Sequence, residues 1–152
     1  GAYDLACMFE ALHDTPRPAE VLGALHQMLR EDGSVLLADE RVASSFTAPG
    51  DEVERMMYGW SISHCLPAAM VDQAAEPTGT VLREPTVRDL AGRAGFRSVD
   101  VLPIENDFFR FYRLRRQATP GDQRLTACDP RRRRRSDVDR AHPRGAGSAL
   151  RP

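Results

Sequence analysis

Leu29-Arg30-Glu31-Asp32-Gly33-Ser34-Val35-Leu36-Leu37-Ala38-Asp39-Glu40 is the stretch whose reading settles the fold class. Asp32-Gly33 is a turn signal, and the four apolar residues Val35–Ala38, closed by two acids, read as a strand buried on both faces of a sheet. Upstream, Pro16 and Pro18 mark a helix start with Glu20 in its first turn, and Val21, Leu22, Leu25, Met28 and Leu29 recur at helical spacing. Before that helix, Leu5-Ala6-Cys7-Met8-Phe9 is a second short apolar run bounded by Asp4 and Glu10. Strand, helix and strand with short connections predict two parallel strands joined by a right-handed crossover.

Downstream, Asp51 with Glu54 three residues on has the form of a capping box. The helix it opens carries Val53, Met56, Met57 and Trp60 at helical spacing, and Pro67 limits its run. Residues 74–85 read as loop. Thr86 is expected to cap a further helix with Val87, Leu90, Ala91 and Ala94 inward, and Gly95 suits a left-handed C-terminal cap with Phe96 packing back. Val99–Leu102 and Phe109–Leu114, separated by Glu105-Asn106-Asp107, predict an antiparallel hairpin.

The chain has 152 residues, 41% hydrophobic and 28% charged, which suits one soluble globular domain. No apolar run is long enough to span a bilayer, so no membrane partner and a cytoplasmic location are expected. All 21 basic residues are Arg. Residues 1–114 carry 10 Arg against 18 Asp and Glu, whereas residues 115–152 carry 11 Arg against 4 Asp. That Arg-rich tail has almost no large apolar residue and is expected to be disordered; its texture is equally that of an out-of-frame read of GC-rich DNA. The run of five arginines at 131–135 has no interleaved aromatic, so no nucleic-acid partner is expected. Cys7, Cys65 and Cys128 are odd in number and far apart, which fits neither a disulfide framework nor a zinc spacing. Gly1 in place of Met, with a strand almost at once, favours a segment of a longer product.

Three stretches resemble class I S-adenosylmethionine-dependent methyltransferases. Tyr3–Asp14 is similar to their fourth strand and the turn after it. Leu29–Asp39 resembles the approach to their fifth strand, with Glu31-Asp32 in place of the usual Pro-Gly. Ala91-Gly92-Arg93-Ala94-Gly95-Phe96 resembles their last helix and its exit into the final hairpin. The resemblance covers roughly residues 2–114 and implies an α/β fold: the C-terminal half of a Rossmann-like doubly wound sheet, with parallel strands and a terminal antiparallel hairpin. The N-terminal half, with its glycine-rich turn, is missing. The chain alone is therefore expected to bind S-adenosylmethionine poorly or not at all.

In an open α/β sheet ligands sit beyond the C-terminal ends of the parallel strands, which selects Phe9–Asp14 and Asp39–Arg41. By resemblance to methyltransferases acting on phenolic oxygens, Leu12-His13-Asp14 would include a general base, and Asp39 or Glu40 would orient it. Phe9, Glu10, Ala11 and Asp14 would line the S-adenosylmethionine side. The alternative is that His13 is a structural turn residue and that Glu10 is a solvated carboxylate.

Residues 51–73 lie where the family inserts a substrate-covering element, so Met57, Trp60 and His64 are candidate contacts to a small-molecule methyl acceptor; the alternative is ordinary core packing. His64-Cys65 has no third partner in view for a nucleophile or metal site. The implied function is methyl transfer from S-adenosylmethionine to a small molecule, on oxygen, carbon or nitrogen. A homodimer is compatible with it, and the alternative from another class is a non-catalytic fragment.

Overall fold

The computed structural model describes residues 1–71 and 75–116. The element order is β1 (Tyr3–Phe9), α1 (Pro18–Met28), β2 (Leu29–Glu40), α2 (Glu52–Trp60), a π-helical turn (Ser61–Cys65), α3 (Leu66–Ala69), α4 (Glu84–Arg93), β3 (Phe96–Val101) and β4 (Phe109–Arg116). The four strands form one sheet in the order β1-β2-β4-β3. β1 and β2 are parallel, with Phe9 opposite Ala38, and β4 lies antiparallel between β2 and β3. This is the mixed α/β sheet, with its terminal antiparallel hairpin, that the residue pattern implied.

The core forms where α1 and α4 pack on the sheet. Leu22 of α1 and Val87, Leu90 and Ala91 of α4 meet Val35 and Leu37 of β2 and Tyr112 and Leu114 of β4. Leu12, Leu29, Leu82 and Phe96 close the edges of this cluster. Each fully buried side chain of this size contributes about 1.5–3 kcal/mol, so the helix-covered face carries most of the apolar stabilisation.

Several local expectations are revised. Asp32-Gly33 does not turn the chain, because β2 runs unbroken from Leu29. Instead Tyr3 pairs with Leu29 and Leu5 with Ser34, so the intervening β2 residues bulge. Gly33 fits the tight spot there, since a Cβ would stand 3.0 Å from the carbonyl oxygens of Tyr3 and Arg30, which would have to give by a few tenths of an ångström. β1 is not buried on both faces. Among the described residues it is an edge of the sheet, as expected of a chain without the strands that would precede it; Ala6 and Met8 pack on the core while Leu5 and Phe9 remain 56% and 53% exposed.

α4 starts at Glu84, two residues before Thr86, with Pro85 in its first turn and no side-chain cap. Gly95 does take the left-handed conformation (φ 93°), and Phe96 is buried behind it. β4 continues to Arg116, whose Nη1 donates to the Leu29 carbonyl at 2.6 Å, so the strand overruns the boundary expected at Leu114. The rest of the Arg-rich tail, including the 131–135 run and Cys128, lies outside the described residues.

The insert differs most. Asp51 caps α2 by accepting from the Glu54 N–H at 2.8 Å, but the Glu54 side chain does not return the bond. It turns inward, 1% exposed, and receives Thr47 Oγ1 (2.7 Å), Tyr58 Oη (2.6 Å) and Arg83 Nη2 (2.6 Å). Burial would raise the Glu54 pKa, but these three donors and the Arg83 charge outweigh it and hold the carboxyl down at about 2. Arg83 also donates to the carbonyls of Ala43 and Ser45, so one ion pair ties the segment after β2, helix α2 and the start of α4 together. The buried face of α2 is thus Glu54 and Met57, not the expected stripe; Met56 and Trp60 are exposed. Pro67 does not end the helical run. The Leu66 N–H reaches back to Ser61 O across a π turn, and Pro67 then falls in the first turn of α3, where it needs no donor.

Candidate functional site

The two parallel strands end side by side, and the chain leaves β1 through a tight turn. Glu10 adopts φ 46° while its N–H still bonds Ala38 O at 3.0 Å. Leu12, fully buried, anchors the following turn, in which Thr15 N–H and Oγ1 both bond the Leu12 carbonyl. That geometry drives His13 inward, 3% exposed, against the end of β2.

His13 Nδ1 lies 2.8 Å from Asp39 Oδ1 and 3.4 Å from Glu40 Oε2. The same Asp39 oxygen also accepts the Glu40 N–H at 3.2 Å. With Nδ1 committed to Asp39, the other ring nitrogen faces Asp14, 3.4 Å from its Oδ1. Asp14 is half-exposed, whereas the imidazole itself is 4% exposed. Asp39 Oδ2 and Glu40 Oε2 are buried with no hydrogen-bond partner.

Burial alone would lower the His13 pKa, but the hydrogen bond and charge of Asp39, with smaller contributions from Glu40 and Asp14, raise it to about 9. Burial next to Asp39 pushes Glu40 up to about 8, so it holds a proton at neutral pH. The titrations of His13 and Glu40 depend on each other, each setting the charge the other can carry.

Cys65, which showed no third partner in the sequence, joins the cluster. The π turn brings Cys65 inward, 7% exposed, beside Asp14; the Sγ of Cys65, an Asp14 oxygen and a His13 ring nitrogen lie within 4.8 Å of one another. Burial, then Asp14 and the other carboxylates, push this thiol up to about 12, so it is a protonated hydrogen-bond donor, not a nucleophile.

Of the candidate residues, the fold brings together His13, Asp14 and Asp39, with Glu40 added. Ala11 is half-buried at the rim, while Phe9 and Glu10 are exposed beside it. Met57 is buried in the insert, and Trp60 and His64 are exposed. A 490 Å³ apolar cavity lined by Phe46, Ala48, Pro49, Tyr58, Ser61, Ile62 and Val81 includes none of the cluster.

Solved structures share this arrangement of strands and helices. The chain is similar to CalO1, a methyltransferase of calicheamicin biosynthesis in its SAH-bound form (TM-score 0.55, 16% identity, 77% of this chain). It is also similar to TnmH (0.53, 21%, 77%) and to PigF with SAH (0.52, 17%, 76%). The chain carries part of a class I methyltransferase fold. It spans 31% of the length of each of those three chains. No protein-family model and no curated protein matches it. Within this methyltransferase fold, His13 and its carboxylates occupy the C-terminal rim of the parallel strands, where open α/β sheets place their ligands. Among the described residues no helix is long and apolar enough to cross a membrane.

Proposed function

We propose that this chain forms the acceptor side of an S-adenosylmethionine-dependent methyltransferase acting on a small molecule through an oxygen atom, with His13 as general base. The observation that carries the proposal is the 2.8 Å contact between His13 Nδ1 and buried Asp39, which fixes the ring and leaves its other nitrogen facing half-exposed Asp14.

The described residues suit a sulfonium donor on charge but offer it only one wall. Glu10 and Asp14 put two exposed carboxylates at the rim, favourable for a cation, while no glycine-rich strand-to-helix turn is present among them. S-adenosylmethionine would supply the transferable methyl group. The chain's own residues would hold the acceptor hydroxyl and take its proton onto His13 as the new C–O bond forms and the C–S bond breaks. A His13 pKa of about 9 lies close to that of a phenol, about 10, which matches donor to base. A cation bound at the rim would lower that value by like-charge repulsion and free the base nearer neutral pH.

Exposed carboxylates at the rim and an unreactive thiol behind it fit a cytoplasmic enzyme, and a homodimer is part of the same proposal. The burial of His13 also favours a second reading, in which the His13–Asp39 pair ties the strand ends together and methyl transfer goes to carbon or nitrogen without a base.

The test uses two preparations, the 152-residue chain and the translated reading frame that contains it. Calorimetric titration of the chain with S-adenosylmethionine is expected to give weak binding or none. With the longer product and a phenolic acceptor, His13→Gln is expected to lower kcat about 10²–10⁴-fold with KM little changed, and to abolish the rising alkaline limb of the rate profile. Full activity in a folded His13→Gln protein would leave only the second reading.

A further inference from the structure

The cluster holds donors that proton transfer does not need. His13 Nε2 and Asp14 Oδ1 are 3.4 Å apart, and Cys65 Sγ lies within 4.8 Å of a His13 ring nitrogen and an Asp14 oxygen. Around a tetrahedral zinc ion, bonds of about 2.0–2.3 Å set ligand atoms roughly 3.3–3.8 Å apart, so one edge is already formed and the others need about 1 Å of closure. The His13 Nδ1 bond to Asp39 is the carboxylate–histidine arrangement that orients a metal-binding imidazole through its far nitrogen.

Behind the ring, Asp39 and Glu40 are more than nine-tenths buried, with Asp39 Oδ1 2.8 Å and Glu40 Oε2 3.4 Å from His13 Nδ1. Asp39 stands against the ring on the Nδ1 side and Asp14 on the Nε2 side, while Glu40 holds a proton at neutral pH, so the carboxylate charge beside the ring is that of the two aspartates. We propose that His13 Nε2, the Asp14 carboxylate and the Cys65 sulfur bind a soft divalent cation of the zinc type, with Asp39 and Glu40 behind them.

A nitrogen, an oxygen and a sulfur donor select zinc over magnesium or calcium. Binding replaces the Cys65 proton and the proton on His13 Nε2, and both leave to buffer. The carboxylates that hold that proton on the thiol favour a dication about twice as strongly, because its charge is double in the same potential. The π turn is what presents the sulfur, since it sets Cys65 inward while Ile62, Ser63 and His64 face solvent. Occupancy would take Nε2 away from proton transfer, so the metal would act as an inhibitor. That consequence rests on the base role proposed above, whereas the binding itself does not.

The experiment is a metal titration of the full 152-residue chain in chelator-stripped buffer. Co²⁺ is added first and then displaced by Zn²⁺ in competition with a chromophoric chelator. One Co²⁺ per chain with a thiolate-to-metal charge-transfer absorption is expected. Cys65→Ser should abolish that band and weaken Zn²⁺ at least tenfold, whereas Cys7→Ala and Cys128→Ala should keep both. Asp14→Asn should weaken Zn²⁺ at least tenfold and Asp39→Asn about 10–100-fold. Absence of stoichiometric binding, a band that survives Cys65→Ser, or unchanged affinity in Asp14→Asn would each overturn the proposal. Should Cys65→Ser fail to fold, Asp14→Asn decides, because that side chain is half-exposed. None of these readouts involves methyl transfer, so failure here leaves the catalytic reading intact.

Discussion

Replacing Asp39 by Asn keeps the shape of the side chain and an oxygen to accept from His13 Nδ1, but removes the charge. The rise of the His13 pKa from 6.5 to about 9, at about 1.4 kcal/mol per tenfold, corresponds to roughly 3 kcal/mol of folding stability. That lies at the lower end of the 3–5 kcal/mol lost when one partner of a buried pair is removed. The sign follows from linkage. A folded-state pKa above the unfolded one gives stability that is complete below about pH 6.5 and lost as pH rises through about 9. Glu40 runs the same way: its carboxyl, raised from 4.5 to about 8, makes the fold progressively costlier as pH climbs through that range. At pH 6, Asp39→Asn should therefore lower the Tm of the 152-residue chain by about 12 °C, taking roughly 4 °C per kcal/mol. At pH 9.5 the gap should close or reverse, because the wild-type chain has lost the same contribution and keeps an uncompensated buried carboxylate. Thermal melts followed by circular dichroism between pH 5.5 and 9.5, in buffer containing chelator, measure it. A gap that stays constant or widens with pH would refute the assignment of the charge to this pair.

Glu54→Ala should cost about 3–5 kcal/mol in chemical denaturation at pH 7, because it leaves Arg83 without its buried carboxylate. Since Glu54 is held down at about 2, the stability it contributes is present above pH 4.5 and fades as pH falls through 2, so the wild-type and Glu54→Ala curves should converge in acid. Glu10→Val should cost about 1–2 kcal/mol while Glu10→Gly costs little, because the left-handed turn at φ 46° strains a branched side chain most; equal Tm values for the two would show that the turn relaxes. Leu37→Ala, emptying a fully buried site between α1, α4 and β4, should lose about 2–5 kcal/mol; a loss under 1 would place the core elsewhere.

The strand–helix–strand unit was legible because Leu5–Phe9 and Val35–Ala38 are uninterrupted apolar runs flanking a helical stripe. His13 and Asp39 could be paired because parallel strands in register must bring their ends together. What stayed hidden depends on partners far along the chain. Nothing local marks Glu54 as buried, since its cation stands at position 83. Cys65 had no visible partner because His13 and Asp14 lie more than fifty residues earlier, and a π turn leaves no signature in residue periodicity. Asp32-Gly33 carries the composition of a turn, yet the close approach of the Tyr3 and Arg30 carbonyls at the bulge also suits a glycine. Leu5 and Phe9 are apolar as a buried strand requires, but within the described residues their outward face meets nothing.

Because β4 runs against its two parallel neighbours, it begins where they finish: Phe109 stands opposite Glu40 and Arg110 opposite Asp39. The connection from Leu102 to Phe108 therefore arrives at the same bank as His13, fastened there by the Arg41 N–H to Phe108 O bond and by the two backbone amides that Asn106 Oδ1 accepts. Selection or engineering could lengthen, shorten or recolour that connection to change which molecules reach the imidazole, while every hydrogen bond of the sheet stays as it is.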